Sequence, residues 1–338
     1  MAHRWMTGTA RDAIDVGLIV VGLLINLVLV PHNLGGDGES RFQSLSLLLQ
    51  HGILDDSKYS LIGPVFSAPL WFLGLLWQGP VWWVSRFNFF VFALGLLALY
   101  WLLRRHIDRR LLSTLLLILI AASLFANQLE YYYAEVFTAI FVAVGTLAAV
   151  FGPSLAGWAL VAVGVANAPA TLLGMGCMAL VRILRQRRVR YALALLAAVG
   201  LIGLENTIRH GGPLASGYEA GFGNNIFFGL LGILFSYGKG LIFFTPGLFL
   251  PVKKHLLTRV GDAGPRLYTL YLLWIAFVLG LVLVYSDWWA WFGGYFWGPR
   301  FFLFSSVPAS LVLAVRLRYP GEHLAGNLLT LLAFALSV

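Results

Sequence analysis

PVWWVSRFNFFVFALGLLALYWLLRRHIDRRLLSTLLLILIAASLFA, residues 80–126, sets two long apolar runs on either side of a turn that carries Arg104, Arg105, Arg109 and Arg110. At 1.5 Å of rise per residue, a run of roughly 15 to 24 uncharged residues is the length that crosses about 30 Å of hydrocarbon. The arginine-rich turn is what the positive-inside rule places in the cytoplasm between two such spans. The stretch therefore reads as a transmembrane hairpin, and the rest of the chain repeats its pattern.

Over 338 residues, 60% are hydrophobic and 11% charged. Soluble domains carry about 25% charged residues, so a soluble fold is excluded. The polar–apolar alternation of an outer-membrane strand appears nowhere, which leaves helices as the spanning elements. The net charge of +9 is not a nucleic-acid stripe. Its bases fall in clusters between apolar runs: Arg4 and Arg11; Arg104 to Arg110; Arg182, Arg185, Arg187, Arg188 and Arg190; Lys253, Lys254, Arg259 and Arg266; Arg316 and Arg318.

With these clusters inside, the chain threads outward over residues 13–31 and inward over 80–103. It then alternates over 111–126, 136–151, 155–166, 170–184, 191–204, 241–252, 267–285, 301–315 and 324–338. This gives an all-α polytopic protein of ten or eleven transmembrane helices in one domain, residues 1–338, with no soluble domain. External loops are expected at about 32–79, 205–239 and 286–300, the first holding interfacial helices because its apolar part is interrupted by Pro and Gly. The first apolar run lacks a small-residue cleavage site and reads as an anchor. The last is short, and reads as an end in the outer leaflet or as an incomplete chain. Cys177, the one cysteine, reads as a small packing residue.

Several external charges stand at the ends of apolar runs, where a charge needs a partner or a wet cavity. Asp37 in GGDGESRF follows the first span between glycines, with Glu39 behind it, and Glu135 opens a span after three tyrosines. All three acids have a plain reading as helix N-terminal acids and a sharper one as acid–base groups. Lys58 beside Tyr59, Lys239 in SYGKGLIFFTP and Arg300 in WGPRFF are bases at external helix ends, able to snorkel or to receive a phosphate. The run DWWAWFGGYFW from Asp287 is an interfacial aromatic belt or a surface for stacking sugars. His51, His106, His210, His255 and His323 lack metal-ligand spacing, and GxSxG, Walker, HExxH and CxxC motifs are absent.

The order of these motifs resembles the C-type (GT-C) membrane glycosyltransferases. It is similar to their bacterial branch related to protein mannosyltransferases and lipid A aminoarabinose transferases. The resemblance rests on the acid after the first span, on KYSLIGPVFSAPL, on the span ending in RR and on YYYAE. It continues in NTIRHGGPLASGY, GLLGILFSYGKGLIFFTPGLFL and DWWAWFGGYFWGPRFF. It implies a GT-C-like bundle in the inner (plasma) membrane that moves a sugar from a polyprenyl phosphate to a glycan, lipid or protein acceptor. Transfer would take place on the extracytoplasmic face with inversion, and the partners would be lipids, with no nucleic acid.

Carried over, Asp37, Glu39 and Glu135 are the catalytic acids, and Lys58, Tyr59, Lys239 and Arg300 bind the donor phosphate. Tyr132, Tyr218, Asp287 and Trp288 line the acceptor and sugar. Relatives carry Asp-Glu where this chain has Asp37-Gly38-Glu39, which leaves the base open between the two acids, with Asp37 preferred. The basic residue usual in the hairpin between the fifth and sixth spans is replaced around Asn167, Ala168 and Pro169. No cofactor is obligatory, with a divalent cation on the three acids as the alternative. The competing function is a non-enzymatic carrier or flippase of a lipid-linked glycan.

Overall fold

Residues 80–126 fold largely as the pattern requires. In the computed structural model, Pro80–Val84 and Phe87–Leu103 form a nearly continuous apolar helix, and Arg109–Ala121 returns from the basic turn. Asp108 caps the second helix through Leu111 N–H and pairs with Arg318 at 2.8 Å. The structure describes residues 2–187, 189, 191–217 and 221–337, with side chains from Ala13 onward. Among them there are helices, turns and two isolated β-bridges, but no strand.

Among the described residues, five helices are long and apolar enough to cross a membrane: Pro80–Leu103, Ala134–Phe151, Tyr191–His210, Gly261–Ser286 and Arg300–Arg318. Shorter apolar helices include Ala13–Val28, Ser154–Ala166, Ile226–Phe235 and Leu324–Ser337. This is an all-α membrane protein. Arg300–Arg318 is its axis, with 89% of its apolar window buried, whereas Tyr191–His210 has 11% and turns Leu193, Leu196 and Leu204 outward. Where helices meet, small residues bring backbones together, as is usual in membranes. A Cβ on Gly157 would lie 2.4 Å from Ala149 N, and one on Gly280 would lie 2.4 Å from Gly174 Cα.

Side-chain contacts sort the molecule into two ends. At one end, Arg318 meets Asp108, and Arg316 reaches the Pro251 carbonyl at 2.7 Å. Arg185 and Lys253 both approach the Tyr268 ring there. Four of the five basic clusters expected in the cytoplasm thus contribute to a single end. At the other end lie Asp37, Glu135 and Arg300, together with a tie between Arg209 and Asp55.

Two stretches differ from expectation. The helix expected over 241–252 is broken into Leu241–Phe244 and a 3-10 turn, Pro246–Phe249. Pro246 lacks an N–H and disfavours the helical region for Thr245, which sits at φ −140°. Distance requires this too. Lys239 bonds near the Arg300 end of the axial helix and Pro251 at its Arg316 end. About 12 residues must cover roughly 25 Å, which a continuous α-helix at 1.5 Å per residue falls short of. Within the loop expected at 205–239, Tyr191–His210 runs on past Leu204, and Ile226–Phe235 is helical, capped by the Asn225 side chain.

The segment 32–79 does hold helices: Asp37–His51, Ile62–Val65 and Ala68–Leu76. The first ends at Gly52, whose φ of +66° allows Gly52 and Ile53 N–H to bond back to Leu48 and Leu47. These helices and the loops around them carry the candidate site.

Candidate functional site

Asp37 opens its helix, where a carboxylate is favoured by the unpaired N–H groups of the first turn. The chain is brought to this point by a short bridge: Asn33 N–H bonds to the Glu130 carbonyl at 2.7 Å and Tyr132 N–H to the Asn33 carbonyl at 3.2 Å. Gly38 then packs on the Tyr132 backbone, where a Cβ would stand 3.0 Å from the carbonyl oxygen. A side chain between the two acids would push the helix away, so the Asp-Gly-Glu spacing has a packing reason.

Both Asp37 oxygens are occupied. Tyr59 O–H donates to Oδ1 at 2.7 Å, and Arg300 Nη2 donates to Oδ2. Arg300 Nε donates to Glu135 Oε1 at 2.7 Å. One buried guanidinium therefore bridges two acids from distant parts of the chain, and it stacks 4.1 Å from the centre of the Tyr133 ring. Burial raises the Asp37 carboxyl, but the charge and hydrogen bond of Arg300, helped by Tyr59 and Arg41, hold it below the ordinary carboxylate value.

Further cations surround the pair. Lys239 Nζ donates to the Gly294 carbonyl at 3.1 Å and to that of Phe296, whose ring also faces Arg300. Burial and then the Arg300 charge lower the Lys239 pKa. Lys58 Nζ lies 5.4 Å and Arg41 5.1 Å from the centre of the Tyr59 ring. All four residues expected at the donor phosphate, Lys58, Tyr59, Lys239 and Arg300, thus gather around Asp37. Two buried atoms here lack a hydrogen-bond partner among the described residues, Tyr133 OH and Glu135 Oε2. A buried polar atom without a partner is costly, and it marks where a ligand could bond.

Other expected residues fall elsewhere. Glu39 is exposed on the first turn and forms no ion pair with Arg300. Tyr132 is buried in the core, its hydroxyl 2.8 Å from Ser67 Oγ and its ring against Phe87, so Tyr133 takes the position over Arg300. Asp287 accepts from Gly223 N–H at 3.3 Å and Trp288 packs on Phe222, which makes them a joint between two loops. Tyr218 lies outside the described residues. Among those described, no three His, Cys, Asp or Glu side chains are grouped to hold a metal. Asp37 and Glu135 meet instead on the guanidinium.

Three features were not anticipated. Arg41 stands one turn after Asp37, at the i+4 spacing that could have revealed it. Tyr133 follows from the extended backbone of 131–133, which alternates sides: Tyr131 and Tyr133 stack at 5.1 Å, and Tyr132 points the other way. Asn88 fixes this segment by donating to the Tyr131 and Tyr133 carbonyls at 2.7 and 2.9 Å. The third is a clamp: Arg209 pairs with Asp55 at 2.9 Å and Glu205 at 3.0 Å and donates to the Ser57 and Tyr59 carbonyls. Glu205 in turn accepts from Ser60 and Leu61. The clamp holds the segment that presents Lys58 and Tyr59.

Between helices Phe87–Leu103 and Ala134–Phe151, an apolar groove of about 290 Å³ is lined by Phe66, Phe87, Val91, Gly95, Phe137 and Ile140 among others. Phe87 and Phe137 stack on each other, and Phe87 also touches Tyr132, so the groove adjoins the segment that carries Tyr133 and Glu135. No protein-family model, curated protein or solved structure matches this chain, and its chemistry is to be reasoned from Arg300 and the groups around it.

Proposed function

We propose that this chain is a GT-C-type glycosyltransferase that takes a sugar from a polyprenyl phosphate and passes it, with inversion, to an acceptor hydroxyl on the extracytoplasmic face of the membrane. The observation that carries the reading is the meeting of Asp37, Glu135 and Arg300 at the end of a membrane-length helix. Lys239 and Lys58 stand close by, and an apolar groove suited to a lipid tail runs along the helix that carries Glu135.

The chemistry needs few parts. Asp37 takes the proton of the acceptor hydroxyl, whose oxygen forms a bond to the anomeric carbon as the bond to the phosphate oxygen breaks. The electron pair leaves with the polyprenyl phosphate. That group departs readily once cations offset its charge, so a second carboxylic acid of the kind used in glycoside hydrolysis is unnecessary. In the geometry described above, Arg300 holds Asp37 as a weak base. A donor phosphate competes with Asp37 for the guanidinium, and as Arg300 turns to it Asp37 becomes the stronger base. Glu135 keeps Arg300 anchored and offers Oε2 to the acceptor.

The test is turnover of a labelled polyprenyl-phosphate sugar by the purified protein. Asp37→Asn is expected to bind donor within a few-fold of wild type and to lose sugar transfer by at least about a hundredfold, the low end for a general base. Wild-type turnover in that variant would move the base to Glu39 or Glu135. Donor that crosses the bilayer with its sugar still attached would favour the carrier.

A further inference from the structure

A cavity lies at the opposite end of the molecule from Asp37. It has about 670 Å³ and is enclosed by Lys253–Arg259, the start of Gly264–Ser286, the end of Ser306–Arg318 and the start of Leu324–Ser337. Tyr268, Tyr271 and Leu250 supply apolar wall, and Lys253, Lys254, His255, Arg259, Arg316 and His323 supply nitrogen. Glu322 is the one acid among the lining residues, and it pairs with Arg259 at 3.5 Å where both side chains are more than half exposed. An ion pair so exposed does little to offset the charge deeper in the cavity.

Arg316 decides what the cavity can hold. It sits on the same axial helix as Arg300, about five turns away, and is itself only 6% exposed. The two are compensated differently. Arg300 has two carboxylates, whereas Arg316 bonds to Thr330 Oγ1 at 2.7 Å, the Pro251 carbonyl at 2.7 Å and the Gly326 carbonyl at 2.8 Å, all neutral. Among the described residues no carboxylate pairs with it. A guanidinium has five N–H groups, so two remain, in a wall also lined by two lysines. Buried charge within a membrane protein is retained where it pairs with an opposite charge or with backbone carbonyls, and here its partners are all neutral, so its charge is not cancelled. The surrounding bases are felt at His255, whose pKa is lowered by burial and lowered further by the charges of Arg316, Arg259 and Lys254.

We infer that this cavity is a binding site for a phosphate group, with Arg316 as its buried anchor and Lys253 and Lys254 at its mouth. A phosphate accepts two parallel bonds from a guanidinium and takes lysine as a point charge. It could arrive as the headgroup of an anionic lipid, since the cavity opens where basic clusters gather and basic pockets between helices take such headgroups, or as a soluble phosphate. The inference does not depend on the glycosyl-transfer reading.

The test is thermal unfolding of the full-length protein in an uncharged detergent. It would be titrated with short-chain phosphatidylglycerol, with inorganic phosphate and with pyrophosphate, against chloride at equal ionic strength. The expected result is a rise in midpoint beyond the chloride control, with half-saturation weakened about tenfold or more in the double variant Lys253→Gln/Lys254→Gln. Both lysines are exposed, so this variant keeps the fold. A rise with phosphatidylglycerol alone assigns the site to lipid, and one with phosphate or pyrophosphate alone assigns it to a soluble ligand. Either supports the site. No rise above chloride, or a rise that the double variant leaves unchanged, overturns it.

Discussion

Arg300 serves two acids with one guanidinium, so the proton affinity of Asp37 is set as much by position 300 as by its own. The sign of the resulting pH dependence follows from the direction of the shift. Burial works against the charged carboxylate, and Arg300 more than offsets it, so the folded value lies below the ordinary 3.8. A carboxyl depressed on folding contributes stability that is present above the unfolded value and is lost as pH falls through the folded one. The wild type is therefore expected to unfold at a higher temperature than Asp37→Asn at every pH above about 4, with the gap closing as the solution is acidified further. Thermal midpoints of both proteins in detergent between neutral and acid pH check this, and a gap that widens on acidification would show that Arg300 does not stabilise the Asp37 carboxylate. Each partner in this site was legible in the sequence as a charge at the end of an apolar run. Their pairing was not, because Asp37 and Arg300 lie in the first and last thirds of the chain and local pattern carries no information at that separation.

Among the elements, the hairpin over residues 80–126 could be read directly, since length, apolarity and basic turn all gave the same answer. The 241–252 stretch could not: its composition is that of a span, and only the Thr245–Pro246 step breaks it. Asn167 is the element-scale counterpart of Arg300. The resemblance to GT-C enzymes raises the expectation of a basic residue near this place, and the structure gives Asn167 a role of its own. Buried at 1%, it accepts from Gly63 N–H at 2.9 Å and donates to the Ala134 carbonyl and Thr138 Oγ1 at 3.2 Å each. It thereby ties the turn that follows Lys58 and Tyr59 to the start of the helix Ala134–Phe151, which carries Glu135. The contact is too close for any residue but glycine at 63, where a Cβ would lie 2.4 Å from the Asn167 oxygen. Asn167→Ala leaves Gly63 N–H and the Ala134 carbonyl buried without that partner, and such groups cost about 1–3 kcal/mol apiece. A loss of roughly 2–6 kcal/mol is expected on that basis, read as a lower unfolding midpoint in detergent. An unchanged midpoint would mean that water reaches this turn.

At the scale of the whole molecule, the axial helix Arg300–Arg318 has a cluster of charged side chains at each end, and the chain's asymmetry in basic residues sets the expected orientation. Four basic clusters, read from sequence as cytoplasmic, do contribute to one end through Arg318–Asp108, Arg316–Pro251 and the approach of Arg185 and Lys253 to Tyr268. A folded chain has no local reason to gather like charges, which repel. A bilayer that retains Lys and Arg on one side gives that reason. The expected orientation therefore puts Lys253 and Arg259 inside and Glu39 outside, all three being exposed positions where a cysteine is tolerated. In a Cys177→Ser background, which removes the one native thiol, a membrane-impermeant maleimide applied to intact cells is expected to label Glu39→Cys, and to label Lys253→Cys or Arg259→Cys only after the membrane is opened. Labelling of all three from outside would mean that the axial helix does not span. Labelling of positions 253 and 259 alone would invert the molecule, moving Asp37 to the cytoplasmic face and removing the basis for an extracytoplasmic donor site while leaving the Asp37–Arg300–Glu135 geometry intact.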